Sequence, residues 1–252
     1  DLGRNGSYLV LRQLRQDVHG FWQFVNAQAA GDAAARERLA AAMVGRTMQG
    51  EPVVASTPDL NTFDYQADPQ GVRCPLGAHV RRANPRNADL PSGKPGLLAW
   101  LKRTLGLDAQ ARVQDLVAST RFHRMLRRGR EYGEPVSIDQ ALSGVASGSE
   151  TGLHFICLGA NLARQFEFVQ SAWLASTRFD GLRHESDPLL GTREPAVDGS
   201  PTNEFSLPQA QGPDLRLSGL PQFVTVLGGA YFFLPGIRAL RYLASSRAKG
   251  SP

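Results

Sequence analysis

Apolar and polar positions along the chain fall into a few recognisable patterns. Tyr8 to Leu14 is a short apolar-rich run behind Asn5-Gly6 and predicts a strand. It leads straight into Val18, Phe21, Trp22 and Val25, spaced as one face of a helix. Asp32 stands where a helix N-cap belongs, and the stretch after it, rich in Ala, Arg and Glu, predicts a second helix through Met43. From Gly50 to Pro95 seven prolines block any long regular element, so this segment reads as a loop. A loop of that length inside a compact domain is usually functional.

Two further strands are predicted, over Phe122 to Gly133 and over the nearly continuous apolar run from Gly152 to Leu158. Leu162, Phe166, Val169 and Trp173 then step by four, three and four, the buried stripe of a helix. Arg183 to Pro221 is again broken by Pro and Gly and reads as a second long loop. Phe223 to Leu234 predicts a closing strand, and Ile237 to Leu243 a short terminal helix. Strands and helices in this order suit an α+β fold, an antiparallel sheet with helices packed on one face. No internal repeat stands out.

With 252 residues, 42% of them hydrophobic, the chain can bury a substantial core, and intrinsic disorder is excluded. The net charge of +5 is carried largely by Arg and permits an anionic ligand. The basic residues are spread along the chain, with local knots at 81–86 and 121–130, which argues against a nucleic-acid surface. The longest apolar run, Phe223 to Ile237, contains glycines and a proline and is too short for a membrane span. Cys74 and Cys157 lie in apolar surroundings and read as buried thiols; scarce cysteine suits the cytoplasm without excluding export. The first residues show neither an initiator Met nor a targeting pattern, so residues upstream are expected to have been removed.

None of the five histidines has a His or Cys partner at zinc-site spacing, and no nucleophile elbow or phosphate-cradling loop is present. One dense segment remains, Cys74-Pro-Leu-Gly-Ala-His-Val-Arg-Arg-Ala-Asn-Pro-Arg86. Read by itself, it is either a loop His beside a solvated Arg cluster, or an imidazole and guanidinium groups arranged around a planar anionic cofactor.

That segment resembles the proximal-histidine segment of the dye-decolorizing (DyP-type) haem peroxidases. Four more stretches resemble the family in the same order: Asn5 to Leu14; Met125-Leu-Arg-Arg-Gly-Arg-Glu-Tyr-Gly133; Gly152 to Cys157 with Gln165-Phe-Glu-Phe-Val-Gln170; and Leu220 to Phe233. The resemblance implies haem b, with His79 as the iron's axial ligand and Arg127 as the catalytic distal arginine, Arg128 being its rival. On a strand the two arginines point to opposite faces, so only one can reach the iron. Leu153 and Phe155 would line the distal haem face, and Arg81 and Arg82 would pair with haem propionates. His154 points the other way and reads as structural. Tyr132, Tyr231, Tyr242 and the tryptophans are either electron relays to bulky donors or ordinary core.

Two departures from the family pattern carry further expectations. An acid that often stands at the place of Ala163, to make the proximal His more basic, is missing; Glu167, one turn on, is the candidate replacement, unless another acid or a carbonyl takes the bond. The Gly-x-x-Asp-Gly motif that supplies a distal aspartate is also absent, because Phe179-Asp180-Gly181 lacks the leading Gly and sits too late. The chain, residues 1–252, therefore resembles the C-terminal, haem-holding half of a peroxidase built from two ferredoxin-like domains. The expected function is reduction of hydrogen peroxide with oxidation of one-electron donors such as dyes or phenols. It would be complete with an N-terminal half, carrying the aspartate, on a separate or cleaved chain docked through a large apolar interface. The alternative is a haem-binding or haem-sensing module without peroxidase activity. No nucleic acid and no membrane span are expected, and higher oligomers are compatible with the sequence.

Overall fold

The computed structural model describes residues 2–54, 61–86, 120–144 and 150–247, except for the side chains of 121, 246 and 247. Strand β1 (Ser7–Gln16) leads into helix α1 (Val18–Gln28), whose N-cap Asp17 accepts the backbone N–H of Gly20. Helix α2 (Ala33–Val44) begins as expected at Asp32, which accepts from Ala35 N, and stops at Gly45 in the left-handed conformation. Short helix α3 (His79–Ala83) interrupts the long loop: His79 opens a helical turn where the sequence predicted irregular chain. The rest of that predicted loop, beyond Arg86, lies outside the described residues.

Strand β2 (Leu126–Tyr132) starts later than predicted, because residues 120–123 form a 3-10 turn. Helix α4 (Ile138–Leu142) carries a capping box between Ser137 and Gln140. Strand β3 (Gly152–Gly159) is followed by two consecutive π-helical stretches, Ala163–Glu167 and Val169–Leu174, which bury Phe166, Val169 and Trp173 as the stripe predicted. The second predicted loop contains a hairpin, β4 (Phe205–Leu207) and β5 (Leu215–Leu217), too short to register as a periodic pattern. Strand β6 (Val224–Leu234) and helix α5 (Ile237–Arg247) close the fold.

The main sheet has the order β2-β3-β1-β6, with every pairing antiparallel. With helical crossovers between β1 and β2 and between β3 and β6, this is the ferredoxin-like arrangement. Cross-strand register fixes which side chains share a face. Val10, Arg12 and Leu14 of β1 lie with Leu153, Phe155 and Cys157 of β3 and with Arg127 of β2. Helices α1 and α2 and the π-helical stretches pack on this face, so the core sits on one side of the sheet. The other face carries an apolar row across all four strands, Leu126, Leu158, Leu9 and Phe232, with Leu126 and Phe232 exposed. Both cysteines are buried free thiols, as expected. Among the described residues no helix is long and apolar enough to cross a membrane.

Candidate active site

Between the helical face of the sheet and α3 lies a cavity of about 490 Å³, within the range of cofactor sites. The sheet supplies Arg12, Leu14, Arg127, Leu153 and Phe155; facing them are His79, Phe166, Val169 and Leu174. Leu190, Gly191, Thr192 and Gln222 also line it. A larger groove of about 750 Å³, lined by residues such as Arg178, His184 and Asp198, opens to solvent and holds none of the expected site residues.

His79 reaches this cavity because the turn before it is tightly held. Cys74 N donates to Asp68 Oδ2 at 2.8 Å, and Ala78 N to Pro75 O at 3.0 Å. The imidazole Nδ1 lies 3.1 and 3.0 Å from the carboxylate oxygens of Asp187, which is wholly buried. Oδ1 of Asp187 also accepts the N–H groups of Leu189 and Leu190 at 2.9 and 2.8 Å. Burial pushes the Asp187 carboxyl up, but the His79 imidazole, its hydrogen bond, the Leu190 N–H and the Arg82 charge outweigh this and hold it below the usual carboxylate range. An ionised carboxylate on Nδ1 fixes the tautomer with the proton on that nitrogen, and leaves Nε2 with its lone pair unprotonated.

Arg127 lines the cavity from the sheet, and Arg128 lies on the opposite face, exposed, its guanidinium on the Arg127 carbonyl. The strand pleat thus separates the two as the sequence required. No hydrogen-bond acceptor among the described residues takes the Arg127 guanidinium. Burial, with the nearby Arg86 charge, draws its pKa down, against Cys157 and Tyr65. It is a fixed cation facing an apolar chamber. Leu153 and Phe155 also lie at the cavity, half-buried. His154 sits on the other face against Tyr132, ring centroids 4.8 Å apart.

Three of the expected residues lie away from the cavity. Arg81 is buried and donates to the carbonyls of Asp68 and Cys74, and Arg82, with no exposed surface, donates to the carbonyls of Trp173, Ser176 and Glu185. The terminal nitrogens of both guanidinium groups are held by these carbonyls, and neither arginine lines the cavity. Glu167 is exposed, because the stripe through Phe166 and Val169 turns it outward, and the carboxylate on His79 is Asp187 instead. The Asp187-Pro188 step is a turn signal whose side chain caps the next N–H groups, so a structured turn was legible there. Its pairing with a residue 108 positions away was not.

The donor set fits a haem. One imidazole has a free Nε2, the walls are apolar, and Arg12 and Arg127 supply cationic groups. Among the described residues no cluster of three or more His, Cys, Asp or Glu offers an alternative metal site. The chain matches the family described as "Dyp-type peroxidase, C-terminal" over residues 2–191. It is 32% identical to the multifunctional dye peroxidase DyP2 of Amycolatopsis sp., over 94% of this chain and 49% of that protein. It is 30% identical to the dye-decolorizing peroxidase AauDyP1 of Auricularia auricula-judae, over 93% of this chain and 46% of that protein. Among solved structures, the DyP-type peroxidase AnaPX of Anabaena sp. superposes with a TM-score of 0.68 at 27% identity, covering 94% of this chain and 46% of that one. The chain thus spans about half the length of the relatives it matches. On the family match and the superposition together, the chain belongs to the Dyp-type peroxidase family and corresponds to its C-terminal part.

Proposed function

We propose that this chain is the haem-holding half of a peroxidase that reduces hydrogen peroxide and oxidises one-electron donors such as dyes or phenols. The observation that carries the reading is the pairing of His79, backed by Asp187, with Arg127 across one apolar cavity. His79 Nε2 would hold the haem iron, and Asp187 would raise its basicity through Nδ1. Haem b, when bound, would supply redox-active iron for the reduction of peroxide. Arg127 holds a permanent positive charge where negative charge develops as the O–O bond breaks, in surroundings too apolar to screen it. Leu153, Phe155 and Phe166 would exclude water from the bound group. Arg12, whose guanidinium carbon lies 5.4 Å from the Phe166 ring centre, would take the propionate role expected of Arg81 and Arg82. In each turnover peroxide accepts two electrons and two protons and leaves as two waters, while two donors each give up one electron and one proton.

The proton that must move from one peroxide oxygen to the other needs a carrier. No Asp or Glu among the described residues lines the cavity. The relatives are about twice as long as the match, and an apolar row crosses the uncovered face of the sheet. Together these support a second half that packs on this protein and brings the acid, as one polypeptide with it or as a separate one.

The test is stopped-flow reaction of the haem-loaded protein with peroxide. Arg127→Leu is expected to slow peroxide reduction by roughly 10²–10³-fold while the haem band persists, and Arg128→Leu to leave the rate near wild type. Equal rates for wild type and Arg127→Leu would remove this residue from the reaction.

A further inference from the structure

The two residues flanking Ser186 and Asp187 are gripped by arginines from opposite sides. On one side, α3 presents His79 and Arg82 three residues apart, hence on one helix face. The imidazole meets the Asp187 carboxylate, and Arg82 Nη2 donates to the Glu185 carbonyl at 2.6 Å. On the other side stands Arg193, a residue that no feature of the sequence singled out. Its Nη2 donates to the carbonyls of Asp187 and Pro188 at 3.1 and 2.7 Å, its Nη1 to Ser186 Oγ at 3.0 Å and to Thr192 O at 3.5 Å, and its Nε to the Pro221 carbonyl at 3.0 Å. Each guanidinium N–H therefore has an acceptor, and all of these acceptors are uncharged. Among the described residues no carboxylate touches Arg193 directly, so these bonds serve geometry rather than charge pairing.

Pro221 precedes Gln222 and Val224, which line the cavity from the sheet side, whereas Asp187 and Pro188 belong to the turn that backs His79. Arg193 thus ties the turn behind the imidazole to the chain entering β6. Gly191 lets the turn close: a Cβ there would come within 2.2 Å of Ser186 Oγ and 2.6 Å of the Asp187 carbonyl. Resting on the reading of His79 as the axial iron ligand, we infer that Arg193 is a positioning residue that fixes the Asp187 carboxylate on His79 Nδ1 and thereby sets the strength of the iron–imidazole bond. Burial draws the Arg193 pKa down to about 10 against the pull of Asp187, so the group stays charged at neutral pH and its planar fork of donors persists.

The experiment is resonance Raman spectroscopy of the ferrous haem-loaded protein, read at the iron–histidine stretching band. Asp187→Asn replaces the charged acceptor and is expected to lower the band frequency. Arg193→Gln is expected to move it in the same direction by a smaller amount. Arg193→Lys keeps the charge and much of the reach but lacks the planar fork, so it also shifts the band, and it carries the test if the glutamine variant does not fold. A band at the wild-type frequency in the arginine variants, with Asp187→Asn shifted, would overturn the positioning role alone. Absence of any iron–histidine band in the wild-type protein would overturn the axial-ligand reading and this inference with it.

Discussion

Arg81, Arg82, Arg127 and Arg128 are alike in sequence, and their fates differ because of what surrounds each backbone position. The strand pleat decided between Arg127 and Arg128, and that much was legible. The engagement of Arg81 and Arg82 was not, because it depends on carbonyls of Asp68, Cys74, Trp173 and Glu185 brought in by the loops. Arg82→Ala should therefore cost the fold on the order of 3 kcal/mol or more, since a charged donor leaves buried carbonyls unpaired. Thermal denaturation would show this as a loss of stability in the haem-free protein, which a surface propionate partner would not produce. Cys74 offers a second residue-level test. Burial raises its pKa from 9.0 to about 12, with Arg81 opposing and Asp68 adding. A thiol raised on folding contributes stability that is full below its unfolded pKa and is lost as pH rises through the folded value. Stability should thus fall above about pH 9 by at most ~1.4 kcal/mol per pH unit from this group. Urea midpoints from about pH 8 to about pH 10 should show that slope, and Cys74→Ala should flatten it.

At the scale of elements, the periodic strands and helices were readable, and the site's scaffold was only partly so. Strands β1, β3 and β6 and the stripe through Phe166 and Trp173 follow from apolar spacing. α3, the β4–β5 hairpin and the Asp187 turn do not, because each is short and is held by contacts from distant chain. These irregular pieces carry half of the site: His79 begins α3, and its carboxylate sits in the turn. Gly191→Ala puts a methyl group against Ser186 and the Asp187 carbonyl, so the turn must open. We predict a loss of roughly 1–3 kcal/mol together with weaker haem retention. Thermal melts and haem transfer to apomyoglobin would measure both. Unchanged haem retention would mean that the turn yields without disturbing His79.

For the whole molecule, the sheet divides two environments. One face, under the helices, encloses the cavity; the other carries Leu9, Leu126, Leu158 and Phe232 in one row, extended by the exposed Leu234. Exposed apolar rows of this kind mark contact surfaces in soluble proteins. Purified by itself, the chain should associate in a concentration-dependent way, and Phe232→Ser with Leu234→Ser should suppress this in sedimentation velocity runs. Monodisperse behaviour of the wild-type chain across a wide concentration range would argue against a docking face. His79 and its cavity carry the haem assignment. Titration of the purified protein with haemin, followed in the Soret region, for the wild type and for His79→Ala, measures that assignment most directly. The wild type should saturate at one haem per chain with a histidine-ligated spectrum, and His79→Ala should fail to reach that state while keeping its circular dichroism. Equal uptake with an identical Soret band in the two proteins would contradict the assignment of His79 as the iron ligand.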